Sequence, residues 1–206
     1  MARTVRDPSA RERIIEAARR AVASRGISGA SMRVIAAEAG VTTGFVTHYF
    51  AGKQEVMEAM LDATNAAAAR RVARVIATDK PALERVHRAA EEMLPIDPER
   101  REEWRVWAAV WSDASVGDTL ANHYRDGWLG LRRMLAGLLA EAQEEEQLHD
   151  EVDVEYRADR LVTLLAGIGL LAGVEQPERA RQLATQMLAE ELAWLGDTPP
   201  VTAPDS

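Results

Sequence analysis

The sequence predicts an all-α protein. Alanine, leucine, arginine and glutamate dominate its 206 residues. Runs of β-branched residues in period-two alternation are almost absent, and capping residues recur ahead of stretches whose apolar positions repeat at helical spacing. About nine helices account for the chain. They divide into a three-helix head (1–55), a larger helical body (56–196) and a tail (197–206) that has three prolines in ten residues and reads as disordered.

The head is read from its caps. Ser9, with Glu12 three residues later, makes a capping box ahead of Ile14, Ala18, Ala21 and Val22, and Gly26 closes that helix. Ser31 caps a short second helix with Met32, Ile35, Ala36 and Ala39 on one side, Gly40 supplies its left-handed stop, and Thr42 caps a third. Two short helices around A-G-V-T form a unit whose second member can stand clear of the body and enter a major groove. The same glycine is equally what an ordinary capping turn requires. At about 100° per residue, Thr43, Gly44, Thr47 and His48 share one face, while Phe45, Val46 and Tyr49 lie nearer the opposite one beside Val41. The first face is the predicted reading face: Gly44 lets backbone approach the duplex, and threonines offer hydroxyls to phosphates or bases and methyls to thymine. Lys53 opens the next helix, where its charge adds to the helix dipole at a phosphate.

Charge agrees with this division. Residues 1–55 hold nine Lys/Arg against five Asp/Glu, a net +4 in a chain whose total is −8, so the remainder carries −12. A basic head on an acidic body offers one end to phosphates and keeps the other off them. Arg3 and Arg6 precede the first helix, either as a flexible arm for a minor groove or as a solvated tail. There is no cysteine, so disulfides and thiolate metal sites are excluded. No apolar run approaches the ~20 residues of a membrane span, and the N-terminal stretch has no signal-like core. The expectation is a soluble, cytoplasmic protein.

In the body, helices are expected from after Gly52 to about Ala77, after Asp79-Lys80-Pro81, and from Asp97-Pro98 to about Ser112. Three more should follow: from about Val116 to Glu146, from Asp153 to Leu171, and from Pro177 to near Leu195 with Gly196 as its stop. Trp104, Trp107 and Trp111 fall at i, i+3 and i+7, with Trp128 on the next helix. Aromatics so spaced build a core or line a pocket, and tryptophans in an acidic domain suit a cationic, quaternary-ammonium ligand through cation–π contact. The last two helices carry Leu161, Leu164, Leu165, Ile168 and Leu171, then Leu183, Met187, Leu188, Leu192 and Leu195. These stripes either pack within one subunit or meet a second copy as a four-helix bundle, with Gly167, Gly169 and Gly173 permitting close approach.

The stretch S-M-R-V-I-A-A-E-A-G-V-T-T-G-F-V-T-H-Y-F-A-G-K-Q-E-V-M (31–57) resembles the TetR-type repressors, whose signature covers about Ile14 to Leu61. That resemblance implies a homodimer on a double-stranded, near-palindromic DNA operator, released by a small-molecule inducer bound in the body. It also implies DNA contacts at Ser31, Arg33, Thr42, Thr43, Gly44, Thr47, His48, Tyr49 and Lys53, with Phe50 as a core anchor. It favours the inter-subunit bundle, with Leu161, Leu164, Leu165, Ile168, Leu188, Leu192 and Leu195 at the interface, and implies an inducer site between the helices of the body, where Trp104, Trp107, Trp111 and Trp128 can support the core and still border a cavity. Most relatives carry tyrosine where this chain has Thr47. The T-H-Y-F ending resembles the choline-responsive BetI branch, as do, more weakly, residues 104–107 and 152–158.

Enzymatic readings find little support. Glu84–His87 and Glu146–His149 have the E-x-x-H spacing that holds di-iron centres when paired, but the second sits where a helix runs into a turn, and the chain is rich in glutamate. No zinc-protease, phosphate-loop, nucleophile-elbow or dinucleotide motif is present. His123 stands alone in a helical stretch, and no cofactor is called for. A DNA-binding architectural protein without an inducer is the competing expectation.

Overall fold

The computed structural model describes residues 8–112 and 118–197, with the side chains at 118, 119, 121, 124 and 194–197 outside the description. Among the described residues there are nine helices and no strand: α1 (Pro8–Gly29), α2 (Met32–Glu38), α3 (Thr43–Tyr49), α4 (Lys53–Ile76), α5 (Ala82–Glu92), α6 (Pro98–Ser112), α7 (Asp118–Glu144), α8 (Val154–Leu171) and α9 (Pro177–Asp197). Arg3, Arg6 and the tail beyond 197 lie outside the described residues. The chain falls into two compact units, Met1–Ala67 with Arg101–Asp126, and Ala68–Arg100 with Gly127–Ser206. The unit that holds the head also takes in the start of α4, most of α6 and the start of α7.

In the first unit, α1 begins at Pro8, whose fixed φ and missing N–H suit a first helical turn, so Ser9 lies inside the helix instead of capping it. Gly26 breaks α1 at φ 69°, ψ 173°. Ser31 accepts a hydrogen bond from Val34 N and Thr42 accepts one from Phe45 N, so both short helices carry the side-chain caps expected of them. Between them Gly40, at φ 67°, closes α2 as a Schellman turn, with Val41 N donating to Ala36 O and Gly40 N to Ala37 O. Buried Ile14, Ala18 and Val22 of α1, Ile35 and Ala36 of α2, Val46 of α3, Phe50, and Val56, Met60 and Leu61 of α4 supply the apolar interior.

In the second unit, α5 opens on Pro81, which makes no side-chain cap, and Asp79 is not the capping acid. The caps come from far along the chain: Ala82 N donates to Glu145 Oε2 (2.9 Å) and Leu83 N to Gln147 Oε1 (3.0 Å). Glu145 and Gln147 flank Glu146, which holds a left-handed φ of 57° and ends α7 in a second Schellman turn. Asp153 caps α8 through Tyr156 N. α9 packs on α8 and also contacts α5, and Arg160 on α8 forms a two-pronged bond to Glu191 on α9 at 2.8 and 3.0 Å. That bond holds the Arg160 guanidinium above its ordinary range. Leu161, Leu165, Ile168 and Leu188 are buried within this single protomer.

Candidate nucleic-acid interface

α3 is held by few groups of its own. α3 has seven residues and buries only Val46 and Tyr49; its end is anchored by Phe50, which is 1% exposed and lies under the Arg11 guanidinium at 5.0 Å. The rest of its placement comes from bonds among neighbouring helices. Arg20 on α1 donates to the Glu38 carboxylate at 2.9 Å and to the Glu38 carbonyl at 3.4 Å, tying α1 to the end of α2. Lys53 Nζ, at the start of α4, donates to Ile27 O at 2.6 Å. Arg19 joins Glu16 at 2.7 Å and Glu102 of α6 at 3.5 Å. The Arg19 hydrogen bond holds the Glu16 carboxyl below its ordinary range against an opposing burial effect.

Most predicted contact residues lie exposed. Ser31, Arg33, Thr42, Thr43, Gly44, Thr47 and His48 are all solvent-facing. Ser31 and Thr42 use a lone pair in capping, which leaves each hydroxyl proton available to an outside acceptor. Thr47 differs: its hydroxyl donates to Gly44 O at 3.0 Å, so outward it offers a methyl group and acceptor lone pairs. Tyr49 is 8% exposed, its ring set edge-on to His48 and tilted against Phe45, each at 5.3 Å, so it belongs to the packed side of the helix. Lys53 is half-buried. Phe45 departs from the wheel: it was expected on the apolar side, yet it is 36% exposed, because a helix this short buries a narrow stripe.

The tryptophans separate. Trp104 and Trp107 are each 4% exposed and pack edge to face at 5.1 Å, while Trp111, predicted on the same face, is 60% exposed at the last turn of α6. Trp128 is half-buried. Trp107 Nε1 donates to Asn65 Oδ1 at 3.0 Å, Asn65 Nδ2 donates to the His123 carbonyl at 3.4 Å, and His123 Nδ1 meets Asp62 Oδ1 at 2.8 Å. This network joins α4, α6 and α7 within the first unit, and sequence reading missed it, since nothing local marks a contact 42 to 61 residues away.

The leucine stripe also divides. Leu161, Leu165, Ile168 and Leu188 pack inside the protomer and have no surface left for a second copy; Leu164 and Leu192 are half-buried, and the side chain of Leu195 lies outside the described residues. On α8 the outward apolar face is instead Leu170 and Leu171, beside an exposed Gly167 whose missing side chain would meet nothing within 4 Å. Gly169 is buried. As for the two E-x-x-H pairs, Glu84 accepts from Arg88 at 2.7 Å, and Glu146 and His149 sit in the turn beyond α7 instead of sharing a helix face. Among the described residues no three His, Cys, Asp or Glu side chains gather as a metal cluster, and no helix is long and apolar enough to cross a membrane.

Comparison with known proteins decides the family. Residues 14–60 match the family described as bacterial regulatory proteins, tetR family, and residues 82–194 match the family described as BetI-type transcriptional repressor, C-terminal. The chain belongs to the TetR family of transcriptional regulators. It is 31% identical over 163 residues to the HTH-type transcriptional regulator PksA of Bacillus subtilis, covering 79% of this chain and 78% of that protein. It is 29% identical over 202 residues to the transcriptional regulator BetI 2 of Chromohalobacter salexigens, covering 92% of each. A transcriptional regulator from Saccharomonospora viridis, solved in complex with choline, superposes with a TM-score of 0.77 at 27% identity, covering 89% of this chain and 97% of that one. These TetR relatives are regulators of transcription, which places this chain among regulators and not among enzymes.

Proposed function

We propose that this TetR-family chain is a homodimeric, ligand-responsive repressor that sets two copies of α3 into successive major grooves of a near-palindromic operator. The observation that carries it is the outward face of α3: Thr42, Thr43, Gly44, Thr47 and His48 are exposed together on a helix capped at its start, anchored by Phe50, and set in a segment of net positive charge. Ser31, Arg33 and Lys53 add phosphate contacts around it, and Tyr49 supports the helix from its packed side. The second copy docks on the outward side of α8 and α9, with Leu164, Leu171 and Leu192 contributing apolar area.

The acidic remainder of the chain senses a small molecule, and binding favours a state whose heads no longer match the operator spacing. A quaternary ammonium compound is the first candidate: a 27% identical relative was solved with choline, and the chain offers tryptophans and excess negative charge. The test is a footprint on the DNA flanking the protein's own coding region, repeated with choline, glycine betaine and polyamines. A protected near-palindrome lost on adding one of these supports the reading. Protection without sequence preference, unaffected by any ligand, would point to an architectural DNA-binding protein.

A further inference from the structure

Phe45 is a large apolar side chain, 36% exposed on the helix that this reading places in DNA and left outside the narrow stripe that so short a helix buries. On the helix it lies about 60° from His48 and about 40° from Tyr49, at the border of the outward face. Tyr49 covers one flank of the ring at 5.3 Å with the planes tilted by 48°. Its other neighbours on the helix, Thr42, Gly44 and His48, are all exposed, and Gly44 has no side chain to screen it. The ring is thus braced from behind and open in front.

A B-DNA major groove presents hydrogen-bonding edges at every base pair and a single apolar group, the C5-methyl of thymine. We infer that Phe45 is a specificity-determining residue that packs its exposed edge on a thymine methyl in each operator half-site. Thr42, about 60° from it, and the threonines of the outward face satisfy polar edges, and Phe45 adds an apolar contact that hydrogen bonds cannot supply. Tyr49 fixes the ring by contact, so the phenyl enters the groove with little rotamer freedom to lose. This inference rests on the operator-binding reading above.

The experiment selects a preferred duplex from a random pool with the wild-type protein, then replaces each thymine in turn by deoxyuridine, which lacks only the methyl. Affinities are measured for wild type, Phe45→Ala and Phe45→Leu. Loss of one buried methyl contact corresponds to about a fourfold drop per half-site. The expected result is one symmetric thymine position where wild type and Phe45→Leu weaken by about that factor and Phe45→Ala does not respond. If every thymine replacement affects wild type and Phe45→Ala alike, Phe45 reads no methyl and the inference is overturned while operator binding stands. If the wild type enriches no sequence at all, the operator-binding reading falls and this inference with it. Circular dichroism on both variants confirms that an exposed substitution has left the helices intact.

Discussion

Lys53 is expected to do two jobs, and its removal separates them. Its ammonium has three N–H groups, one of which donates to Ile27 O at 2.6 Å and ties the start of α4 to the segment after the Gly26 break. A hydrogen bond from a charged donor contributes about 1.5–3 kcal/mol, and the half-exposed position argues for the lower end, about 1.5 kcal/mol. For a chain of this size each kcal/mol shifts Tm by roughly 2–4 °C, so Lys53→Ala should lower Tm by about 3–6 °C. The remaining two N–H groups are those proposed to face a phosphate. Each phosphate contact contributes about 0.9 to the slope of log K against log salt, so losing two in a dimer flattens the slope by about 1.8. Between 50 and 200 mM salt the variant's affinity deficit should then shrink by about tenfold. Lys53→Met, which keeps most of the stem, separates packing from charge. Thermal unfolding and fluorescence anisotropy at four salt concentrations read both effects. A lowered Tm with an unchanged slope would refute the phosphate contact, and a flattened slope with an unchanged Tm would refute the strut.

The remaining predictions concern the body of the first unit and the outward side of α8. Asn65→Leu removes the acceptor of the buried Trp107 indole N–H and should cost about 1–3 kcal/mol in urea unfolding, with a shift in tryptophan emission; an unchanged midpoint would show that the network adds no stability. Because Arg19 holds the Glu16 pKa down in the folded state, its stabilisation is complete above the unfolded carboxylate pKa and is lost as pH falls through the folded one. Glu16→Gln should therefore melt below wild type at pH 7, with the gap closing toward strongly acidic pH; a gap independent of pH would rule out the linkage. Leu171→Glu, at a position 46% exposed, should leave protomer unfolding within about 0.5 kcal/mol of wild type while shifting sedimentation toward monomer. Retention of the dimer would place the interface elsewhere.

What was legible in the sequence is what depends on near neighbours. Ser31, Thr42 and Asp153 cap their helices, and Gly40 takes the left-handed turn, because each needs only residues within a few positions. The same local logic failed at α5, where Asp79 lost the capping role to Glu145 and Gln147, delivered by a turn more than 60 residues later. Wheel reasoning failed for another reason. It assigns a face but not its width, so it buried Phe45 and Trp111 and made leucines that one protomer consumes in its own core serve a second copy. The tryptophan spacing did find the buried pair Trp104 and Trp107, but the partner that orients Trp107 is an asparagine with no pattern of its own.

The polar bonds around the head have a common member. Arg11, Arg19 and Arg20 lie on α1, Ile27 is in the turn that ends it, and between them they reach Phe50, Glu102, Glu38 and Lys53. α3 itself is fixed by two buried side chains and Phe50, too little to define its angle without the frame that α1 provides. Shifts along α1, which packs on α2 as α2 packs on α3, are therefore expected to redirect the outward face of α3. α6 is tied to that frame directly through Glu102 and to α4 through Trp107. A ligand that altered α6 would act on the outward face of α3, proposed above to read the operator, through bonds already in place and without any contact to α3.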